Sequence, residues 1–267
     1  MVKKVVSETN AWIKWAKKLH YKRYRLQGDV FLVEGIRTVE TALDAKAQLE
    51  AAYYSARLLE NERGKSLLKR IKTASTNVMT VTDKLLGEIS DTQTFQGIVV
   101  VAKKPRVQMD SSVMNGLPLV VVDRIKDPGN VGTIVRTADA GGAEAVIFLK
   151  GSADPFSPKA VRGSMGSVFH IPIMTEYNVE CLEKFVKEAG YMVITGDSKA
   201  QHYYYHTDLS KNIALVIGNE AHGVSSEVKD ISDKEVCIPI VGKSESLNAG
   251  VACGVLLFEA ARQRSLV

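Results

Sequence analysis

The chain is poor in cysteine, with three in 267 residues (Cys181, Cys237 and Cys253), an odd number without a CxxC spacing. That argues against a disulfide framework and a cysteine-rich zinc site, and fits a reducing compartment. It also lacks any apolar run near the roughly 18 residues that a spanning helix needs. The start, MVKKVVSETNAW, has lysines but no following apolar stretch of the kind a secretory signal carries. A cytoplasmic location with no membrane partner is therefore expected. Two nucleotide fingerprints are missing as well. GxGxxG occurs nowhere, and Gly242-Lys243-Ser244 fails as the end of a phosphate-binding loop because Cys237 stands where its first glycine is required.

What remains is a chain of ordinary globular composition, 45% hydrophobic and 24% charged, long enough for two domains. Its net charge is +5, yet residues 1–25 hold eight Lys/Arg against one acid, Glu8, leaving the rest slightly negative. Such concentration is the footprint of a polyanion binder. Lys17, Lys18, Lys22, Arg23 and Arg25 are the candidate phosphate contacts. Trp12, Trp15, Ala16 and Leu19 recur at helical spacing, with Ser7 as a possible N-cap, so the tryptophans read as the inward stripe of an amphipathic helix.

Short apolar runs alternate with helical patterns: strands at 30–33, 49–55, 78–81 and 97–102, and helices at 36–45, 58–73 and 84–89. This predicts a smaller α/β domain over 1–104. A polar stretch with Pro and Gly, 105–116, reads as a linker. Over 117–267, β-branched runs at 119–122, 145–149, 191–195, 213–217 and 236–240, with helices near 133–141 and 248–264, predict an α/β domain on a parallel sheet. Ligand loops are expected at the carboxyl ends of its strands.

Three such loops carry ordered polar patterns. Asn130-x-Gly132-x-Ile134-x-Arg136-x-x-Asp139-x-x-Gly142, Ile217-Gly218-Asn219-Glu220-x-x-Gly223-Val224 and Ile238-Pro239-x-x-Gly242-x-x-x-Ser246-Leu247-Asn248 resemble, in order, the three motifs of the SpoU (TrmH) family of RNA ribose 2′-O-methyltransferases. Asp139 and Gly141 depart from the residues common in that family, without touching its polar positions. The segment from Lys22 to Glu40 is similar to the N-terminal RNA-binding domain of many members, itself like kink-turn-binding ribosomal proteins.

The resemblance implies methyl transfer from S-adenosylmethionine (SAM) to a ribose 2′-hydroxyl, with Arg136 as the main catalytic residue beside Asn130, Glu220, Ser246 and Asn248. It implies cofactor contacts from Thr195, Gly196, Ile217, Gly218, Ile238 and Leu247, a C-terminal trefoil knot and a homodimer. The ribosomal-protein-like domain, without long basic extensions, points to ribosomal RNA of the large subunit. A transfer-RNA methyltransferase, a base methyltransferase on a related fold and an inactive RNA-binding or assembly protein remain as alternatives. Arg162, in a Gly/Ser-rich segment, is a further candidate RNA contact. His202 and His206 are spaced like metal ligands but lack a matching acid or cysteine, so no metal is expected.

Overall fold

The computed structural model describes residues 2–75, 77–105, 112 and 114–264, in two compact units. One unit is Met1–Pro105 with Pro155–His170, the other Arg106–Asp154 with Ile171–Val267. Of the expected linker, residues 106–111 and 113 lie outside the described residues.

The first unit runs β1 (Lys3–Lys4), α1 (Ala11–Lys18), α2 (Lys22–Gly28), β2 (Val30–Glu34), α3 (Ile36–Asp44), β3 (Leu49–Tyr54), α4 (Glu62–Ala74), β4 (Val78–Thr80), α5 (Asp83–Ile89) and β5 (Ile98–Lys103). Its sheet has the order β1-β4-β3-β5-β2, with β5 antiparallel to both neighbours. The N-cap of α1 is Asn10, which accepts from the Trp12 amide at 2.9 Å. Ser7 instead accepts from the Thr9 amide in the turn before it, so the helix starts later than the sequence predicts. Ile13, Ala16 and Leu19 enter the core from α1, and both tryptophans pack against it half-buried.

The second unit continues with β6 (Leu119–Val122), α6 (Pro128–Ala140) and β7 (Ala145–Leu149). After α7 (Pro158–Gly163), which belongs to the first unit, come β8 (Ile173–Tyr177), α8 (Val179–Glu188), β9 (Met192–Gly196), β10 (His202–Tyr203), β11 (Ile213–Ile217), α9 (Ser226–Lys229), β12 (Lys234–Cys237) and α10 (Ala249–Gln263). All seven strands are parallel, in the order β10-β12-β9-β11-β6-β7-β8. This is the parallel α/β sheet expected from the sequence. The continuous burial of β6, β7 and β11 explains why their sequences do not alternate. One face is covered by α8, through Leu182, Phe185 and Val186. Elsewhere in the unit α6 and α10 pack side by side, so closely that a Cβ on Gly250 would sit 2.5 Å from Thr133 Cγ2.

The segment 155–170 follows β7 in the chain but packs within the first unit. Phe156 and Phe169 pack with tilted rings against Phe31 of β2, with ring centroids 5.0 and 5.6 Å away. Among the described residues no helix is long and apolar enough to cross a membrane.

Candidate active site

Strand ends of the second unit converge on one cavity. Asp127 caps α6, its Oδ1 accepting from the amides of Gly129 (2.7 Å) and Asn130 (3.0 Å), and Pro128 occupies the first helical position. An acidic N-cap followed by proline starts the helix at 128, several residues before the point predicted from the apolar pattern. Asn130 thus stands in the first turn of α6, not in a loop.

With capping done by Asp127, the Asn130 side chain is available for other partners. Its Nδ2 donates to Glu220 Oε1, and its Oδ1 accepts from Asn248 Nδ2 at 2.8 Å. The Asn248 Oδ1 caps α10, accepting from Gly250 N at 3.0 Å and Val251 N at 3.3 Å. Three motif segments far apart in sequence are joined by this relay.

The loop after β11 is held equally tightly. Asn219 and Gly223 exchange backbone hydrogen bonds of 2.9 and 2.8 Å, and the Asn219 Oδ1 accepts from the amides of Ala221 and His222. A Cβ on Gly218 would lie 2.4 Å from the Gly223 carbonyl carbon and the Val224 nitrogen, so only glycine fits there. Buried Asp123 pins the far side by accepting from Ser225 N at 2.7 Å.

The cavity, of about 270 Å³, has apolar walls from Ile217, Ile238, Leu247 and Leu256. Gly196, Gly218, Glu220 and Ser246 also line it. Five of the six residues expected to hold the cofactor are therefore on its wall. Thr195 is the exception. It is fully buried, and its hydroxyl lies 3.3 Å from Ser232 Oγ and 3.4 Å from the Lys234 carbonyl, so its side chain serves the sheet and not the cavity. Apolar walls beside a glycine-lined strand end suit a flat adenine, and the polar residues at the rim suit the charged remainder of SAM.

An ion pair that the sequence reading missed stands on the same wall. Lys229 Nζ donates to Asp197 Oδ2 and lies 3.6 Å from Glu235 Oε2. Burial pushes the Asp197 carboxyl up, but the Lys229 ammonium and the Lys199 amide outweigh it and hold it below its usual range. The bond to Asp197 raises Lys229 in turn. The only sequence signal for this pair is that Asp197 directly follows the strand end at Gly196.

Arg136 is on the exposed side of α6 and is not on the cavity wall. Among the described residues its side chain makes no hydrogen bond or ion pair, so its guanidinium is available to an anion. Ser246 is exposed on the loop before α10, and Asn248 does the capping that either residue might have done.

In the first unit the basic side chains divide. Lys18, Lys22 and Arg23 are exposed, and Arg23 lies over the Tyr24 ring at 4.5 Å. Lys17 is paired with Glu88 at 2.8 Å and Arg162 with Asp91 at 2.6 Å, each keeping about two fifths of its side chain exposed. Arg25 is a correction. It is 2% exposed and donates to the carbonyls of Leu19 (2.7 Å) and His20 (2.9 Å), closing the α1–α2 corner instead of facing RNA.

The model of the SpoU rRNA methylase family matches residues 118–258, which hold the whole relay and cavity. The chain belongs to this family. Residues 10–100 match an MRM3-like substrate binding domain. Among curated relatives, the 23S rRNA (guanosine(2553)-2′-O)-methyltransferase RlmP of Bacillus subtilis is 30% identical over 96% of this chain and 98% of its own. An AdoMet-bound rRNA methyltransferase from Sinorhizobium meliloti is 32% identical, with a TM-score of 0.86 covering 98% of each chain. AviRb from Streptomyces viridochromogenes, a SpoU methyltransferase crystallised with AdoMet, is 28% identical, with a TM-score of 0.88 over 96% of this chain and 98% of AviRb. Each of these three aligns with this chain over nearly its full length.

Proposed function

We infer that this SpoU-family chain transfers a methyl group from SAM to a ribose 2′-hydroxyl of RNA, with large-subunit ribosomal RNA as the substrate. The observation that carries the reading is the Glu220–Asn130–Asn248 relay, which ties all three motif segments together beside the cavity that Glu220 lines. When bound, SAM supplies an electrophilic methyl. The cavity walls Ile217, Ile238, Leu247 and Leu256 would hold the adenine, with the backbone at Gly196 and Gly218 alongside. Arg136 is assigned to the substrate phosphate and to orienting the 2′-hydroxyl, where it also stabilises charge as the oxygen loses its proton. An arginine stays protonated at neutral pH, so orientation and neutralisation ask less of it than acting as a base. Asn130, Glu220, Ser246 and Asn248 are assigned to placing the nucleotide.

The remaining assignments rest on the same family membership. Residues 1–104 serve RNA binding, with Lys17, Lys18, Lys22 and Arg23 toward phosphate, and 117–267 serve catalysis. The chain from β12 to α10 is taken to thread a trefoil knot, consistent with β12 lying between β9 and β10 while α10 returns to α6. A homodimer in the cytoplasm is the expected form. Val251 (51% exposed) and Phe258 (48% exposed), spaced seven apart on α10, offer an apolar face for it. Sedimentation gives the mass directly, and a monomer would remove the dimer from this account.

The deciding experiment is transfer of labelled methyl from SAM to protein-free total RNA from cells lacking this gene, beside the Arg136→Ala protein. Label recovered as a 2′-O-methyl nucleotide and lost in the variant supports the reading. Label on a base would assign the related base chemistry. No transfer, with no SAM binding, would move an RNA-binding role to the front.

A further inference from the structure

At the edge of the seven-stranded sheet, a run of aromatic residues has no part in the mechanism above. Tyr203 ends β10, and Tyr204–His206 form a 3-10 turn after it. The Tyr203 and Tyr205 rings are stacked, with centroids 5.4 Å apart and planes 20° apart. His206 stands edge-on to Tyr205 at 4.6 Å, and Tyr204 edge-on to the same ring at 5.1 Å. Tyr203 is 42% exposed and Tyr205 43% exposed. Among the described residues, no hydrogen bond is made by the three tyrosine hydroxyls or the His206 ring.

We propose that the Tyr203–Tyr205 stack is a platform on which an unpaired nucleobase of the RNA substrate stacks, close to the nucleotide that is methylated. The proposal rests on the reading of this chain as an enzyme acting on RNA. Tyrosines packed for stability bury their rings, whereas these keep ring surface in water in a fixed arrangement. Aromatic faces presented next to cations are how proteins hold single-stranded bases without regard to sequence.

The position fits. β10 pairs with β12 so that Tyr203 is opposite Cys237, one residue before the cavity wall at Ile238. On the other side, Lys199 lines the cavity three residues before β10 begins.

The platform is also held rigid. Gln263 of α10 donates to the Thr207 carbonyl at 3.1 Å and accepts from Leu209 N at 2.7 Å, clamping the chain just after the turn. Thr207 itself is buried. Preorganisation of this kind removes ordering cost from binding. A base is favoured over a protein partner because Tyr203 pairs with β12 one residue before the cavity wall at Ile238, and Lys199 of that wall stands just before β10.

The test uses the full chain, a fluorescein-labelled 12-residue oligoadenylate, and the same oligonucleotide with 2-aminopurine at single positions. Tyr203→Ala/Tyr205→Ala is expected to bind oligoadenylate about tenfold more weakly. Tyr203→Phe/Tyr205→Phe, which keeps the rings, should bind as the parent does. SAM affinity should be the same in all three proteins, and 2-aminopurine fluorescence should be quenched on the parent at one position or a few. Unchanged oligoadenylate affinity in the alanine variant, or equal weakening in the phenylalanine variant, overturns the proposal. If the alanine variant does not fold, the parent decides alone: an abasic 12-mer that binds as tightly as oligoadenylate, or no quenching at any position, also overturns it. Failure of the parent to bind SAM would count against the enzymatic reading and is a separate result.

Discussion

Asn248 uses both ends of its amide, donating from Nδ2 to Asn130 Oδ1 at 2.8 Å while its Oδ1 caps α10. Asn130 is thereby fixed in one orientation, with its carbonyl toward Asn248 and its Nδ2 toward Glu220. The start of the last helix and the placement of a site residue on α6 depend on a single side chain.

Separating those two jobs gives the first prediction. Asn248→Ala removes both and should cost about 1 kcal/mol of stability as well as activity. Asn248→Asp keeps the cap but sets a carboxylate against the Asn130 carbonyl. Turning the Asn130 amide to relieve this places its oxygen against Glu220. Denaturant unfolding should find Asn248→Asp near the parent, with methyl transfer reduced more than about tenfold. Equal loss of stability in both variants would leave the cap as the whole role of Asn248.

The Arg136 side chain is exposed and makes no bond among the described residues, so its removal should leave the fold untouched. Arg136→Ala is expected to unfold at the parent temperature and to bind SAM with parent affinity. Its methyl-transfer rate should fall by a factor of about 100 or more. Arg136→Lys should recover little, because a point charge does not reproduce the planar fork. A variant with near-parent turnover would remove Arg136 from the catalytic group.

Gly218 is enclosed by backbone, which cannot move aside as a side chain can. Gly218→Ala should displace the 218–223 loop that carries Glu220, and calorimetry should show SAM binding weakened at least about tenfold. Unchanged affinity would mean that the loop yields without disturbing the cavity.

The second unit was largely legible because its strands are doubly covered and its loops carry specific polar patterns. Unbroken runs such as Leu119–Val122 mark buried parallel strands, and Gly218 and Asn248 are residue types that a close backbone approach and a helix cap require. Relations decided by distant packing were not legible. A basic residue at 25 looks like its neighbours until the α1–α2 corner encloses it, and nothing local in Phe156 or Phe169 says that they pack against Phe31. The Asp197–Lys229 pair brings together two separate segments with no shared motif.

The enclosure of Arg25 can be tested against its exposed neighbours. Arg25→Ala leaves two carbonyls without their donor and should cost about 2 kcal/mol in unfolding experiments. Arg23→Ala, at an exposed position, should cost little stability and should weaken RNA binding in a salt-dependent way. Reversal of this pattern would return Arg25 to the RNA contacts.

The Asp197–Lys229 pair gives stability a pH dependence whose sign follows from the shifts. The Asp197 carboxyl is held below its unfolded value, so its contribution is complete above the ordinary carboxylate range and is lost as pH falls through the lowered native value. Lys229 is raised, so its contribution is complete below the ordinary lysine range and is lost as pH climbs through the raised value. Asp197→Asn removes the pair without changing side-chain size. At pH 7 the variant should be less stable by about 1 kcal/mol, since the partly exposed lysine is screened by solvent. Urea unfolding of both proteins from pH 7 to pH 3 should show the gap constant at first and narrowing below about pH 4, as the carboxylate begins to bind its proton in the unfolded chain. A gap that stays constant to pH 3 would mean that the ion pair is not its source, and that the loss comes from the Asp197 hydrogen bonds to backbone, such as that from Lys199 N at 2.9 Å.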